Sequence, residues 1–148
     1  MVRAEETTMI TAREMMTEDP ATLTTGATVR AALDELQALD IRHLPVVNEA
    51  NELVGMISDR DLRALTLPRF IGAELIDEVR VALDAPVTSI MTSDVLSVEE
   101  EADAAEVIDL MLDHKIGAVP VVDADGVIVG IISYIDVLRT LSFESAAE

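Results

Sequence analysis

The chain has no cysteine and no tryptophan, one tyrosine, two phenylalanines and a single lysine, Lys115, among 148 residues. Each shortage removes a class of function. Without cysteine there are no disulfides, no thiolate metal sites and no sulfur nucleophile. Two histidines, His43 and His114, cannot assemble a multi-histidine metal centre within one chain. Aromatic residues at 2% leave no platform for stacking the bases of a single strand. Ten basic side chains against 29 acidic ones give a net charge of −19. A field of that sign repels phosphate backbones and disfavours general nucleic-acid binding. No apolar run reaches the roughly 18 residues of a membrane span, and Glu5 and Glu6 interrupt any basic-then-apolar leader. The expectation is a soluble, cytoplasmic protein with no membrane partner, its acidity serving solubility or a salty cytoplasm.

Half of the residues are hydrophobic, enough for one compact domain or two very small ones that share a core. Their arrangement is repetitive, which fixes architecture before any local reading. Met16-Thr17 returns 75 residues later as Met91-Thr92. Pro45-Val46-Val47 returns at the same offset as Pro120-Val121-Val122, and Gly55, Ser58 and Asp61 return as Gly130, Ser133 and Asp136. An ungapped offset held through all of these marks a duplication.

Each copy reads alike. A short strand at Thr22-Leu23-Thr24 precedes a helix that Thr28 caps, with Val29, Ala32, Leu33, Leu36 and Leu39 on one face. A β-branched run from Ile41 to Val47, a polar turn from Asn48 to Glu52, and a strand from Leu53 to Ile57 follow, and Ser58 opens a second helix. In the second copy Ala104, Val107, Ile108 and Met111 form the helix face. Strands at Ile116–Val122 and Val127–Ile132 are joined by a turn at Asp125-Gly126, and a final helix covers about Tyr134 to Leu141. Between the copies Pro68 breaks a helix, and Phe70, Ile71, Leu75, Ile76, Val79 and Leu83 suit a connecting helix. Met1 to about Thr8 and Ser145 to Glu148 read as frayed ends. The expected division is a first repeat at 10–66, a linker at 67–86 and a second repeat at 87–142. Units of this size bury too little alone, so the copies are expected to pack through their sheets.

The segments Gly55-Met56-Ile57-Ser58-Asp59-Arg60-Asp61 and Gly130-Ile131-Ile132-Ser133-Tyr134-Ile135-Asp136 carry the most information. Ser-x-x-Asp at a helix start satisfies orphan amide donors as a capping box. The same geometry offers free N–H groups and a partial positive charge to a phosphate. The aspartate, one turn in, suits two vicinal ribose hydroxyls, and the preceding glycine would let a ligand approach the backbone closely. Both readings remain open on the residues alone.

Met-Thr, the apolar helix, Arg42-His43-Leu44-Pro45-Val46-Val47 and the two Gly-x-x-Ser-x-x-Asp segments, in that order over about residues 10 to 140, resemble a tandem pair of cystathionine-β-synthase (CBS) domains, a Bateman module. The resemblance implies an α/β fold of two tandem β-α-β-β-α repeats packed through their sheets into one pseudo-twofold module. It also implies adenosine nucleotides bound in clefts between the copies, and pairing into homodimers. Ser58 and Asp61 match the positions that hold phosphate and ribose in one cleft, Ser133 and Asp136 those in the other. Arg42 and His43 match the family's phosphate-facing positions, with Arg60 a further cation beside them. The second copy departs there, having Gly117 and Ala118, which leaves Arg42, reaching across, as the alternative cation for the Asp136 cleft. Adenine contacts are implied at Met56, Leu96, Ile116 and Gly117 for the Asp61 cleft, and at Ala21, Ile41 and Ile131 for the other. The Asp61 cleft is therefore expected to be the better site, because close arginine bonds outweigh a repulsive far field screened beyond about 8–10 Å.

Other features have plainer roles. His43 lacks a partnered nucleophile or base, so no catalytic residue and no enzyme activity are expected. His114-Lys115 suits a helix C-terminus, and Glu99-Glu100-Glu101 complements a helix N-terminus rather than caging magnesium. Met16 and Met91 read as packing residues. The function expected is a stand-alone regulatory module that senses AMP, ADP or ATP, needs no cofactor or metal, and signals to a separate, unidentified regulated protein. The alternatives are a ligand-free dimerisation scaffold, or a binder of S-adenosylmethionine or a dinucleotide.

Overall fold

Apolar side chains at the helical period, flanked by β-branched runs, alternate along the chain, and short strands alternate with helices accordingly. The computed structural model describes residues 10–66 and 74–147. In chain order the first elements are α1 (Ala12–Met15), β1 (Thr17–Glu18), β2 (Leu23–Thr24), α2 (Val29–Leu39), β3 (His43–Val47), β4 (Leu53–Ser58) and α3 (Asp59–Thr66). There follow α4 (Glu74–Asp84), a 3-10 turn at Val87–Ser89, β5 (Val98–Glu99) and α5 (Ala104–His114). The last are β6 (Ala118–Val122), β7 (Ile128–Ser133) and α6 (Tyr134–Ala147). They gather into two compact units. One is Ala21–Val95; the other joins the described residues up to Pro20 with those from Leu96 onward.

In the Ala21–Val95 unit the sheet order is β2-β3-β4, with β2 parallel and β4 antiparallel to β3. His43 stands opposite Ser58 and Val46 opposite Gly55. Thr28 caps α2 as expected, its Oγ1 accepting from the Ala31 N–H at 3.1 Å, so one orphan donor is satisfied. The helix ends where Asp40 turns left-handed at φ 51°. Val29, Ala32 and Leu36 pack with Leu23, Leu44, Val46, Ile57, Leu62 and Val87 into one core. Leu39, expected on that buried face, is instead 48% exposed; it is the last helical residue, beyond which the chain turns away at Asp40. The connecting helix is α4, whose Leu83 packs on this core; Pro68, Phe70 and Ile71 lie outside the described residues.

In the other unit the order is β1-β7-β6-β5. Val121 opposes Gly130 and Ala118 opposes Ser133, the register of the first sheet repeated. The core comprises Ala12, Met15, Val98, Ala104, Val107, Met111, Val119, Val121, Ile132 and Val137. Gly126 takes φ 82° in the hairpin turn, where Asp123 Oδ1 accepts the N–H groups of Asp125 and Val127 at 2.9 and 3.0 Å. Helix α6 runs past the expected end at Leu141 to Ala147, since no glycine or proline intervenes and two alanines favour the helix. Of the ends expected to fray, Met1–Thr8 lies outside the described residues, and Ser145–Ala147 is helical.

The units and the sequence repeats are offset. Ala12 and Met15, which open the first repeat, are buried among the strands of the second. Val87, at the position equivalent to Ala12, is fully buried in the Ala21–Val95 unit. Paired backbone bonds fix both segments. Ala12 N–H donates to the Ala102 carbonyl at 2.8 Å and Ala104 N–H to that of Ile10 at 2.9 Å. Val87 N–H donates to the Ala27 carbonyl and Val29 N–H to that of Ala85, both at 2.9 Å.

The Met-Thr pair and the strand glycine form one device. A Cβ built on Gly55 would fall on the Met91 sulfur and 3.0 Å from its Cγ, and one on Gly130 would fall on the Met16 sulfur and 2.8 Å from its Cγ. The glycines thus admit a methionine, not a ligand as the sequence suggested, and both methionines pack on the adjoining core. Gly55→Ala is expected to cost about 1–3 kcal/mol by overpacking. Combined with Met91→Ala it should cost less than the sum of the two single changes, as denaturant unfolding will measure. Additive losses would mean that Met91 is not what Gly55 accommodates.

Candidate functional site

Strand β4 passes directly into α3 at Ser58, and β7 into α6 at Ser133, so each serine sits where helix amides lack partners. Both Ser-x-x-Asp segments form the reciprocal box. Ser58 N–H donates to Asp61 Oδ2 at 2.9 Å, and Asp61 N–H donates to Ser58 Oγ at 3.1 Å. Ser133 N–H donates to Asp136 Oδ2 at 2.9 Å, and Asp136 N–H donates to Ser133 Oγ at 3.3 Å. The capping reading is therefore realised in both copies.

What remains available after capping differs. A carboxylate offers about four acceptor positions. Asp136 receives three further donors: Ser133 Oγ at 3.1 Å on Oδ2, and Thr17 Oγ1 at 3.1 Å with Arg139 at 3.5 Å on Oδ1. It is only 5% exposed. Asp61 takes the single N–H of Ser58, is half-buried, and its Oδ1 has no partner among the described residues. Thr17 and Arg139 were not found from sequence. Thr17 lies in the repeated Met-Thr pair and Arg139 three residues after Asp136 on one helix face, a spacing that brings side chains together.

Charge divides the boxes further. Around Ser58, Arg42 and Arg63 approach Asp59 at 3.9 and 2.8 Å, and Arg60 is exposed beside them. The equivalents of Arg42, Asp59, Arg60 and Arg63 are Gly117, Tyr134, Ile135 and Leu138. The last three are 48%, 66% and 65% exposed. Glu100 and Glu101 pair with Arg13 at 2.7 and 3.2 Å, rather than serving only the helix that follows. No cluster of three or more metal-ligating side chains occurs among the described residues.

Burial pulls the His43 imidazole below its ordinary value of 6.5, Asp61 opposing and Arg42 reinforcing that shift, with smaller contributions from Asp59 and Arg60. Burial thus favours its neutral form, and it sits opposite Ser58 on the neighbouring strand. Met56 is buried and exchanges two backbone bonds of 2.9 Å with Thr92, so its side chain belongs to the interior. Ala21, exposed, and Ile41, packed on the core, share the Ala21–Val95 unit with Arg42, His43, Ser58, Arg60 and Asp61. Leu96, 39% exposed, Ile116, packed on its core, Gly117 and half-buried Ile131 share the other unit with Ser133 and Asp136. The Gly117 carbonyl accepts the Tyr134 N–H at 3.3 Å, as that of Arg42 accepts the Asp59 N–H at 2.8 Å.

The family pattern described as "CBS domain" matches residues 12–67 and again 87–142. The chain belongs to the CBS-domain family, as a tandem pair. Among solved CBS-pair relatives, CBSX2 of Arabidopsis thaliana is 29% identical with a TM-score of 0.79, over 92% of this chain and 96% of that one. CBSX2 in complex with AMP is 29% identical with a TM-score of 0.78, over 91% and 98%. The AcuB protein of Vibrio cholerae is 36% identical with a TM-score of 0.77, over 93% of each chain. A CBS domain-containing protein of Dictyostelium discoideum is 31% identical over 87% of this chain and 89% of its own length. Inosine-5′-monophosphate dehydrogenase of Methanocaldococcus jannaschii is 29% identical over 92% of this chain, which spans only 24% of that enzyme. No helix among the described residues is long and apolar enough to cross a membrane.

Two outcomes test this CBS pair's boxes. Asp136→Ala, which strands several donors at a buried carboxylate, should lower stability by about 3 kcal/mol, whereas Asp61→Ala should cost about 1 kcal/mol, the worth of a cap. Equal losses in denaturant unfolding would contradict the difference in their partners. For His43, the folded pKa lies below the unfolded one, so its contribution is full above about pH 6.5 and is lost as pH falls from there toward the depressed folded value. His43→Gln should flatten that part of the Tm–pH profile; an unchanged slope would remove His43 from the balance.

Proposed function

We propose that the chain is a non-catalytic regulatory module that binds an adenine nucleotide of the AMP, ADP or ATP class at the Ser58–Asp61 box. Binding then alters its affinity for a regulated protein. The observation that carries the reading is a helix start with spare acceptor capacity on Asp61 and with Arg42 and Arg60 exposed beside it, in a chain of net charge −19. In so acidic a chain, cations grouped at one box give an anion its favourable local field. The vicinal hydroxyls of a ribose fit the free Oδ1 of Asp61. The phosphate fits Arg42, Arg60 and the helix N-terminus. The AMP bound by CBSX2 supports the same class.

A second adenosyl ligand has an observation in its favour. The CBS pair of protein MJ0100, 25% identical with a TM-score of 0.75 over 89% of this chain and 99% of that one, is in complex with 5′-methylthioadenosine and S-adenosyl-L-methionine. A sulfonium placed beside Arg42 and Arg60 meets like charge, so this chain's box favours the phosphate. A homodimer and a protein partner complete the reading. A ligand changes the output only through unequal affinity for two arrangements.

Thermal unfolding with AMP, ADP, ATP, adenosine and S-adenosylmethionine, each at about 1 mM, tests it. Ligand at 100 times its Kd adds about 2.7 kcal/mol, several degrees for a chain of this size. A phosphate-bearing ligand should shift Tm, and Asp61→Ala should abolish the shift. Arg42→Gln should weaken the nucleotide by roughly tenfold, about 1.4 kcal/mol, while leaving adenosine nearly unchanged. A module acting purely as a dimerisation scaffold would show no shift with any of the five.

A further inference from the structure

We infer that Thr17 and Arg139 close the second Ser-x-x-Asp box, so that the chain takes one nucleotide, at Asp61, and Asp136 is a structural clasp. The inference rests on the adenine-nucleotide reading of the Ser58–Asp61 box and adds which residues decide that the repeated box is not a second site.

The argument is a count of acceptors. Four donors reach the Asp136 carboxylate: the N–H and the hydroxyl of Ser133, Thr17 Oγ1, and Arg139. With about four acceptor positions on a carboxylate, none is left for a diol. The Asp136 side chain is 6% exposed, so a ribose would first have to expel Thr17 and Arg139. Nor do the equivalent positions supply an anion pole. Those of Arg42, Arg60 and Arg63 hold Gly117, Ile135 and Leu138, and Arg139 is bonded to Asp136 itself. At the Ser58 box each term reverses. Thr92, the equivalent of Thr17, bonds through its backbone to Met56, and nothing among the described residues bonds Asp61 Oδ1. Position 64, the equivalent of Arg139, is alanine in the sequence.

Thr17 belongs to β1, which pairs with β7, whereas Arg139 lies on α6. The clasp therefore ties the leading segment to the last helix through one buried carboxylate, a link that joins residues 119 apart in sequence.

The test is calorimetric titration of the full chain with AMP, or with whichever nucleotide gives the largest thermal shift, alongside denaturant unfolding of the same proteins. The wild type should bind one equivalent, and Asp61→Ala should reduce this to none. Thr17→Val combined with Arg139→Met frees Asp136 Oδ1 and should bind a second equivalent, of which Asp61→Ala in that background leaves one. The same pair of changes should lower the unfolding midpoint, which Thr17→Ser, retaining the donor, should not. Two equivalents in the wild type, or one equivalent in the folded double variant, would overturn the clasp and leave the Asp61 site standing. Should the double variant prove too unstable to titrate, Thr17→Val alone, with Arg139 the only remaining Oδ1 partner, should still gain weak second-site binding that Thr17→Ser lacks; no gain would count against the clasp. Absence of binding by every protein and every nucleotide would overturn the nucleotide reading, and the closed second site with it.

Discussion

The contact on which each unit depends is a methionine laid across a strand glycine. Met16 covers Gly130 and Met91 covers Gly55, with no room for a Cβ between them. Each contact places a Met-Thr segment along the outer edge of a sheet, Thr17 opposite Ile131 and Thr92 opposite Met56. That placement completes the core behind it. Ala12 and Met15 enter one core, and Val87 the other. A sheet of short strands around so few apolar side chains is marginal without such completion. Because the opening segment of one repeat finishes the unit built on the other, neither repeat has its whole core within its own sequence span. The dipeptide that most clearly betrays the duplication is also the piece that crosses over.

The boxes at the strand ends follow from this arrangement. Once Met16-Thr17 lies along β7, the Thr17 hydroxyl is within reach of Asp136; once Met91-Thr92 lies along β4, Thr92 is equivalently placed, yet it leaves Asp61 alone. The backbone geometry is shared and the side-chain environment is not. Arginines surround the Asp59 carboxylate in one unit, whereas Tyr134, Ile135 and Leu138 occupy the same positions in the other. Arg42, paired only at 3.9 Å, and Arg60 are exposed there and keep their hydration. The chain's large negative charge makes their local concentration the main feature an anion would sense.

Much of this was legible in the residues. The 75-residue offset, the Thr28 cap, the Asn48 and Asp125-Gly126 turns and the two Ser-x-x-Asp boxes depend on local chemistry, and all appear at their expected places. What was not legible depends on partners distant in sequence. The glycines at 55 and 130 read as ligand approaches, because their methionines lie 36 and 114 positions away in the sequence. The Glu100 and Glu101 run read as a dipole complement because Arg13 is far upstream. Periodicity placed Leu39 on the buried stripe correctly as a matter of angle, but it does not say how far along the helix the core extends. The alternation of Asp59, Arg60 and Arg63 with Tyr134, Ile135 and Leu138 was present in the aligned repeats all along. Its meaning needed the burial of Asp136.

That burial also explains why clasp and apolar flank occur together. A carboxylate only 5% exposed loses water as a donor, and the loss is tolerable only if protein groups replace it. A capping box alone supplies too few donors, so a threonine and an arginine complete the set. Beside Asp61 the neighbours are charged and the carboxylate is more exposed, so water can serve the oxygen that, on the proposed reading, a ribose would take. The same four-residue box therefore has two stable outcomes, and the number of donors gathered around one carboxylate decides between them. On the reading proposed above, a tandem repeat that keeps the box and its threonine while replacing Ala64 by Arg139 makes one half a receptor site and the other a fastening. No change in fold is required for that divergence, only a threonine that reaches, an arginine one turn on, and apolar residues where the cations were.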